Sequence, residues 1–154
     1  MTKFKIKITS FMPINFPPKR GQILLCDFSQ GFKEPEMVKG SRPVVVISTK
    51  GRLVTVAACS TVEPNPIEGC HYKLPKQSMP KTAKFIGKDT WVKGDMIYTV
   101  GFHRLELVCL GRENGKRIYF QNRLGAEQMD EICKSVLHGI GMGFLSIHIN
   151  SKPK

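Results

Sequence analysis

Residues Lys39–Thr49 read KGSRPVVVIST, and this stretch decides the fold. Val44, Val45, Val46 and Ile47 are β-branched apolar residues in unbroken succession. Their stiff side chains favour a strand, and the lack of polar alternation predicts a strand covered on both faces. Pro43 cannot donate to a ladder, which predicts it at the first position of that strand. Arg42 then stands at the strand mouth, where a flexible loop meets rigid β-structure. At such a rim the scaffold fixes a side chain and the loop leaves it accessible. A guanidinium there offers a planar fork of donors suited to a phosphate.

Downstream, Lys50-Gly51-Arg52 has turn chemistry and LVTVAAC, residues 53–59, is a second strand, so the pair reads as a hairpin. Its return strand ends in Ser60 and Thr61, at the edge of the partner of Arg42. A cation and a hydroxyl converging there can clamp a phosphodiester. The same residues also fit a plain structural role, with Arg42 paired to Asp27 or Glu36 and the hydroxyls stabilising a turn.

Upstream, QILLCDF (22–28) is a strand, followed by a polar loop over 29–41. Further strands are predicted at 70–74, 95–100 and 104–110, and at 117–120 after the turn signal Asn114-Gly115. Residues 75–90, rich in Pro and Lys, are weakly structured by this reading. In residues 125–141, Met129, Ile132, Cys133, Val136, Leu137 and Ile140 form one apolar stripe at helical spacing. Glu127, Asp130 and Glu131 sit in its early turns and Lys134 and His138 in its late ones, as the helix dipole favours. Gly139, Gly141 and Gly143 end it. FLSIHIN, residues 144–150, alternates and predicts a short added strand. The expected fold is mainly β with helices: a small antiparallel barrel with a C-terminal amphipathic helix.

The chain has 154 residues, of which 41% are hydrophobic, enough for one domain with a real core. We divide it into a lead-in, 1–18, and a single domain, 19–154. In the lead-in Phe4, Ile6 and Ile8 alternate with lysines, which fits an edge strand or a basic arm equally. No apolar run reaches the ~20 residues of a membrane helix, and the N-terminus lacks the pattern of a signal peptide. Lys and Arg number 24 against 12 acids, a net charge of +12, which points to a polyanionic partner. The five cysteines are odd in number and lack a C-x-x-C pair, which favours a reducing cytoplasm over a disulfide framework. Cys70-His71 reads as an incidental dipeptide, because no second ligand pair has metal spacing. His103, His138 and His148 match no ligand pattern either, although His103 and Arg104 could line a nucleic-acid groove.

RGQILLCDFSQGF (20–32), GSRPVVVIST (40–49) and VTVAACST (54–61) together resemble the MazF/PemK (Kid) family of toxins from bacterial toxin–antitoxin modules. The match spans about residues 20–61 and continues less clearly through VKGDMIYTV (92–100) and the terminal helix. The resemblance implies an SH3-like barrel, working as a homodimer. It implies a metal-independent endoribonuclease that cuts single-stranded RNA through the RNA 2′-hydroxyl, with no cofactor. Arg42 matches the family's catalytic arginine. Ser60 matches the hydroxyl residue that orients the scissile phosphate, with Thr61 next to it as the other candidate. Glu36 falls near a loop glutamate of the family. Asp95 and Lys93 match RNA-contacting positions, Lys39 adds a cation before Arg42, and Phe32 serves either base stacking or the core. The implied protein partner is an acidic antitoxin that folds across the groove, covers Arg42 and displaces loop 29–41. Two other readings remain open: a CcdB-like toxin of this fold that inhibits DNA gyrase without cutting RNA, acting through its C-terminal helix and tail, and a non-catalytic nucleic-acid-binding barrel.

Overall fold

The computed structural model describes residues 11–37 and 40–149. Lys39 and the alternating lysines of residues 3–7 lie outside the described residues. Strands β1 (Ile23–Asp27), β2 (Ser41–Lys50), β3 (Leu53–Ser60), β4 (His71–Lys73), β5 (Trp91–Gly101) and β6 (Leu105–Leu107) form an antiparallel sheet in the order β4-β5-β3-β2-β1-β6. Strands β7 (Cys109–Glu113) and β8 (Lys116–Tyr119) form a separate hairpin through the Asn114-Gly115 turn. A single α-helix, α1 (Ala126–Gly139), is found among the described residues.

The valine run is buried on both faces, as its composition predicts. Val44 and Val46 enter one cluster with Leu24, Cys26, Phe28, Val54, Val56, Ala58 and Leu105. Val45 faces the opposite way and joins Ile23, Ala57 and Cys59 against Met129 and Ile132 of α1. Ile47 is only half-buried, because the β2–β3 register shifts between Val46 and Ser48. The sheet is therefore a middle layer between an inner core and a helix-covered core.

Closure differs from the expected barrel. The mainly antiparallel β class holds, but no ladder joins the two edge strands, β4 and β6, which have three residues each. The two sides of the sheet are linked by chain instead: β5, next to the edge strand β4, runs through a 3-10 turn at Phe102–Arg104 directly into the other edge strand, β6. The lead-in covers the rest. Ile14 is buried in the inner core and its N–H donates to Leu105 O at 2.9 Å, which blunts that edge. Residues 11–18 are thus packed against the domain and do not form a free arm.

Other expectations shift in detail. Strand β2 begins at Ser41, so Pro43 is its third residue. The ladder to β3 starts only at Val44↔Ala58, and a missing N–H is tolerated before it. The expected strand over 104–110 is split, because Val108 turns into the helix-side core and accepts the Phe120 N–H at 2.9 Å. Within 75–90 there is a short 3-10 helix, Lys76–Ser78. The C-terminal segment Gly143–His148 is a 3-10 helix instead of a strand. Gly141, at φ +78°, reverses the chain after α1 and brings it back against the helix, where no sheet edge is offered.

Candidate active site

Strands β2 and β3 pair as Val44↔Ala58, Val45↔Ala57 and Val46↔Val56. Extending that register by two residues sets Arg42 opposite Ser60. Opposed residues in an antiparallel pair share a face. Arg42 and Ser60 therefore end the row that begins with Val46 and Val44 on one strand and Val56 and Ala58 on the other. The guanidinium caps the open end of the inner core. This answers why a permanent cation precedes the most apolar strand: its stem extends the row and its head reaches solvent.

Among the described residues Arg42 has no ion pair, and its one hydrogen-bond contact is Nη1 to the Met96 sulfur at 3.9 Å, too long and too soft to satisfy a guanidinium. The alternative pairing with Asp27 or Glu36 is not made. Asp27 accepts the Ser29 N–H at 2.8 Å, and hydrogen bonds from Ser29 hold its carboxyl below the usual range. Ser60 Oγ accepts the Val62 N–H at 3.1 Å, which leaves the Ser60 proton to donate elsewhere. Thr61 lies one residue past β3, half-buried in the following bend.

Strand β5 forms the next wall. Its pairing with β3 runs Ala57↔Ile97 and then Cys59↔Val92, so residues 93–96 of β5 bulge out opposite Ala58 alone. That bulge carries Lys93, Asp95 and Met96, with Asp95 exposed. Gly94 within it is pressed against α1. Ser60 pairs with Trp91, and Lys73 on β4 lies over the Trp91 ring at 5.8 Å. Lys73 and Lys93 thus stand on neighbouring strands close to Ser60.

The loop after β1 is anchored, contrary to the flexible segment that its composition predicts. Met37 is buried in the inner core. The Tyr98 hydroxyl donates to Glu36 O at 2.6 Å. Arg104 Nη1 donates to Gln30 O at 2.8 Å and Asp27 O at 3.1 Å. Phe32 meets Phe28 edge-on at 5.1 Å and Tyr98 at 5.5 Å, with the Arg104 guanidinium over its ring at 5.0 Å. Phe32 is therefore a half-buried packing residue with one face already covered. The Glu36 side chain is exposed, and what the fold fixes there is its backbone carbonyl.

Of the expected site residues, Arg42 and Ser60 lie on adjoining strands, with Lys93 and Asp95 on the bulge of the next strand. Sequence reasoning missed Tyr98, Met96 and Lys73. Tyr98 and Met96 could have been found by continuing the alternation of WVKGDMIYT. Arg104 was read as a groove residue, and nothing local marks it as the anchor of the loop after β1. The Cys70-His71 dipeptide has a neighbour: potential ligand atoms of Cys70, His71 and Asp95 all lie within 4.8 Å of one another. Asp95 arrives from the β5 bulge, which spacing along the chain cannot reveal.

The arrangement is an unpaired cation and a free hydroxyl donor at an open rim. A cavity of about 380 Å³ lies elsewhere, lined by Met12, Ile14, Phe85, Glu106 and Tyr119. None of the candidate residues lines it. An open rim suits a polymer laid across the surface better than an enclosed small molecule.

A family model described as PemK-like, MazF-like toxin of type II toxin-antitoxin system matches residues 19–138. The fold is similar to the crystal structure of MazF (Form-I) from Deinococcus radiodurans, with TM-score 0.55 and 14% identity over 83% of this chain and 100% of that one. It is also similar to Mycobacterium tuberculosis toxin MazF-mt6, with TM-score 0.49 and 14% identity over 78% of this chain and 96% of that one. At such identity the likeness to the first bears on the fold alone. No curated protein sequence matches the chain significantly.

Proposed function

This chain belongs to the PemK-like, MazF-like toxin family of type II toxin–antitoxin systems, and from that premise we propose that it cuts single-stranded RNA without a metal ion, using the RNA 2′-hydroxyl as nucleophile. The observation that carries this reading is the position of Arg42, two residues beyond the Val44↔Ala58 pair on the strand beside the one that ends at Ser60, with no ion pair to the guanidinium among the described residues.

RNA supplies its own nucleophile, so the protein has to orient the 2′-hydroxyl in line and stabilise charge on the phosphorane. Arg42 is suited to the second task, because a planar fork can hold two non-bridging oxygens. Ser60 donates its free proton to the same phosphate and fixes its orientation. The guanidinium has a very high pKa and is a poor acid. The leaving 5′-oxygen therefore takes its proton from water or through a concerted relay. The products carry a 2′,3′-cyclic phosphate and a 5′-hydroxyl. Lys73 and Lys93 hold flanking phosphates, and Asp95 and the exposed Glu36 read base edges.

The net charge of +12 also fits an acidic antitoxin segment laid over the same rim. The working unit is a homodimer in the cytoplasm. No described helix is long and apolar enough to cross a membrane.

The test is incubation of pure protein with a long RNA in excess EDTA, beside an RNA carrying one 2′-deoxy residue 5′ to the cut. Cleavage of the first and survival of the second are expected. Loss of activity in EDTA with recovery in Mg²⁺, or cleavage at the deoxy position, overturns the mechanism. The gyrase-type reading has one observation in its favour: Phe144 and Ile147 on the last 3-10 helix are 70% and 79% exposed. Growth arrest with intact RNA would favour it.

A further inference from the structure

We propose that Cys70, His71 and Asp95 form a binding site for a zinc-type divalent cation. The Cys70 sulfur, a His71 ring nitrogen and an Asp95 carboxylate oxygen already lie within 4.8 Å of one another. A tetrahedral Zn²⁺ with bonds of about 2.0–2.3 Å holds its ligand atoms roughly 3.3–3.8 Å apart. Of the three, Asp95 is exposed and its side chain has room to rotate toward the other two.

The ligands come from elements that are already pinned. Cys70 O accepts the Gly94 N–H at 2.6 Å, and His71 pairs with Lys93 in the β4–β5 ladder. This ties the start of β4 to the bulge that carries Asp95. The His138 ring packs on Gly69, one residue before Cys70. Binding makes the Cys70 sulfur a thiolate ligand and releases its proton to solvent.

His71 sets a further limit. Its Nδ1 accepts the Glu68 N–H at 3.0 Å. Coordination at Nδ1 displaces that donor, and coordination at Nε2 moves the ring proton to Nδ1 and breaks the same contact. With three protein ligands and one open position, the site is weaker than a closed Cys/His centre. A sulfur, nitrogen and oxygen set selects Zn²⁺ or Co²⁺ over Mg²⁺ and Ca²⁺, which take oxygen ligands. Occupancy would clamp β4 to β5 beside Ser60. The inference does not depend on RNA cleavage.

The probe is Co²⁺, titrated into the reduced full-length chain carrying Cys109→Ser and Cys133→Ser, which removes the more accessible thiols. A saturable thiolate-to-cobalt absorption in the near ultraviolet is expected, at one equivalent, displaced by Zn²⁺ and unaffected by Mg²⁺. Asp95→Asn and His71→Gln each alter a residue that is not deeply buried and should weaken Co²⁺ binding by at least about tenfold. Cys70→Ser should abolish the band. Absence of a saturable band overturns the site, as does a band that survives Cys70→Ser. Unchanged Co²⁺ affinity in both Asp95→Asn and His71→Gln also overturns it.

Discussion

Gly94 of β5 and Gly139 of α1 meet backbone to backbone. A Cβ on Gly94 would run into the Ser135 carbonyl, and one on Gly139 into the Gly94 carbonyl. The obstacle is main chain on each side, so no rotamer can relieve it. The contact sets how deeply the helix lies on the sheet. It also explains why Ser135, and not Ile140, is buried on α1: Ser135 faces the bulge, while Ile140 lies past the contact and is 57% exposed. The bulge that receives the helix carries Lys93, Asp95 and Met96, so the helix seat and the site share one piece of backbone.

Gly94→Ala should therefore destabilise the fold by about 1–3 kcal/mol, the usual cost of overpacking a tight contact. Urea unfolding measures it. A midpoint equal to that of the parent would mean that α1 does not sit where Gly94 places it.

Arg42→Ala should keep the fold, because the guanidinium has no ion pair among the described residues and half-exposed cations contribute little to stability. Single-turnover RNA cleavage should fall roughly 10²–10³-fold, as when one charge-stabilising donor is removed from a pre-organised site. Arg42→Lys should recover only part, since an ammonium cannot make the fork. Ser60→Ala should be milder and Thr61→Ala milder still. A folded, fully active Arg42→Ala protein would move the site elsewhere.

Tyr98→Phe removes the bond to Glu36 O and leaves the contacts of the ring with Phe28 and Phe32. The expected cost is about 0.5–1.5 kcal/mol, with faster amide exchange confined to the loop between β1 and β2. Unchanged exchange there would mean that Arg104 and Met37 hold the loop alone.

Acid titration should separate two carboxyls of opposite sign. Hydrogen bonds from Ser29 depress Asp27 below its ordinary 3.8, so its contribution is present above that pH and is lost as pH falls through the folded value. Burial lifts Glu106 above its ordinary 4.5, so stability falls as pH rises from there through the folded value. In melts from acid to neutral pH, Asp27→Ala should lose stability relative to the parent mainly above the ordinary value. Glu106→Gln should gain relative to the parent as pH rises. Parallel curves for all three proteins would remove both assignments.

Thiol labelling should be graded by burial. Cys26 and Cys59 are pushed up to about 12 by burial, whereas Cys109 is exposed on the β7–β8 hairpin. Cys109 should react first in the native protein and Cys26 and Cys59 only on unfolding. Fast labelling of Cys59 without unfolding would contradict the closed helix-side core.

Local chemistry made part of this legible. The valine run fixed a central strand because β-branched residues without alternation need cover on both sides. The Lys50-Gly51-Arg52 turn fixed the hairpin, but its register alone would set Arg42 opposite Thr61; the shift between Val46 and Ser48, which no residue in the turn announces, moves Ser60 into that place. The apolar stripe of residues 129–137 fixed α1. In the segment 144–150, alternation misled, because a period of two needs a free sheet edge and none is presented there.

What the sequence alone determined about this protein is therefore local to one hairpin or one helix: the central strands, the turn, the amphipathic face and the arginine at the strand mouth. The tertiary structure decided what depends on distant segments meeting. It left the sheet open and joined its ends by chain, anchored the loop between β1 and β2 through Tyr98 and Arg104, seated α1 on Gly94, and carried Asp95 to Cys70 and His71. Each of these rests on backbone from separate strands arriving within a few ångströms, and neither residue type nor spacing along the chain encodes that approach.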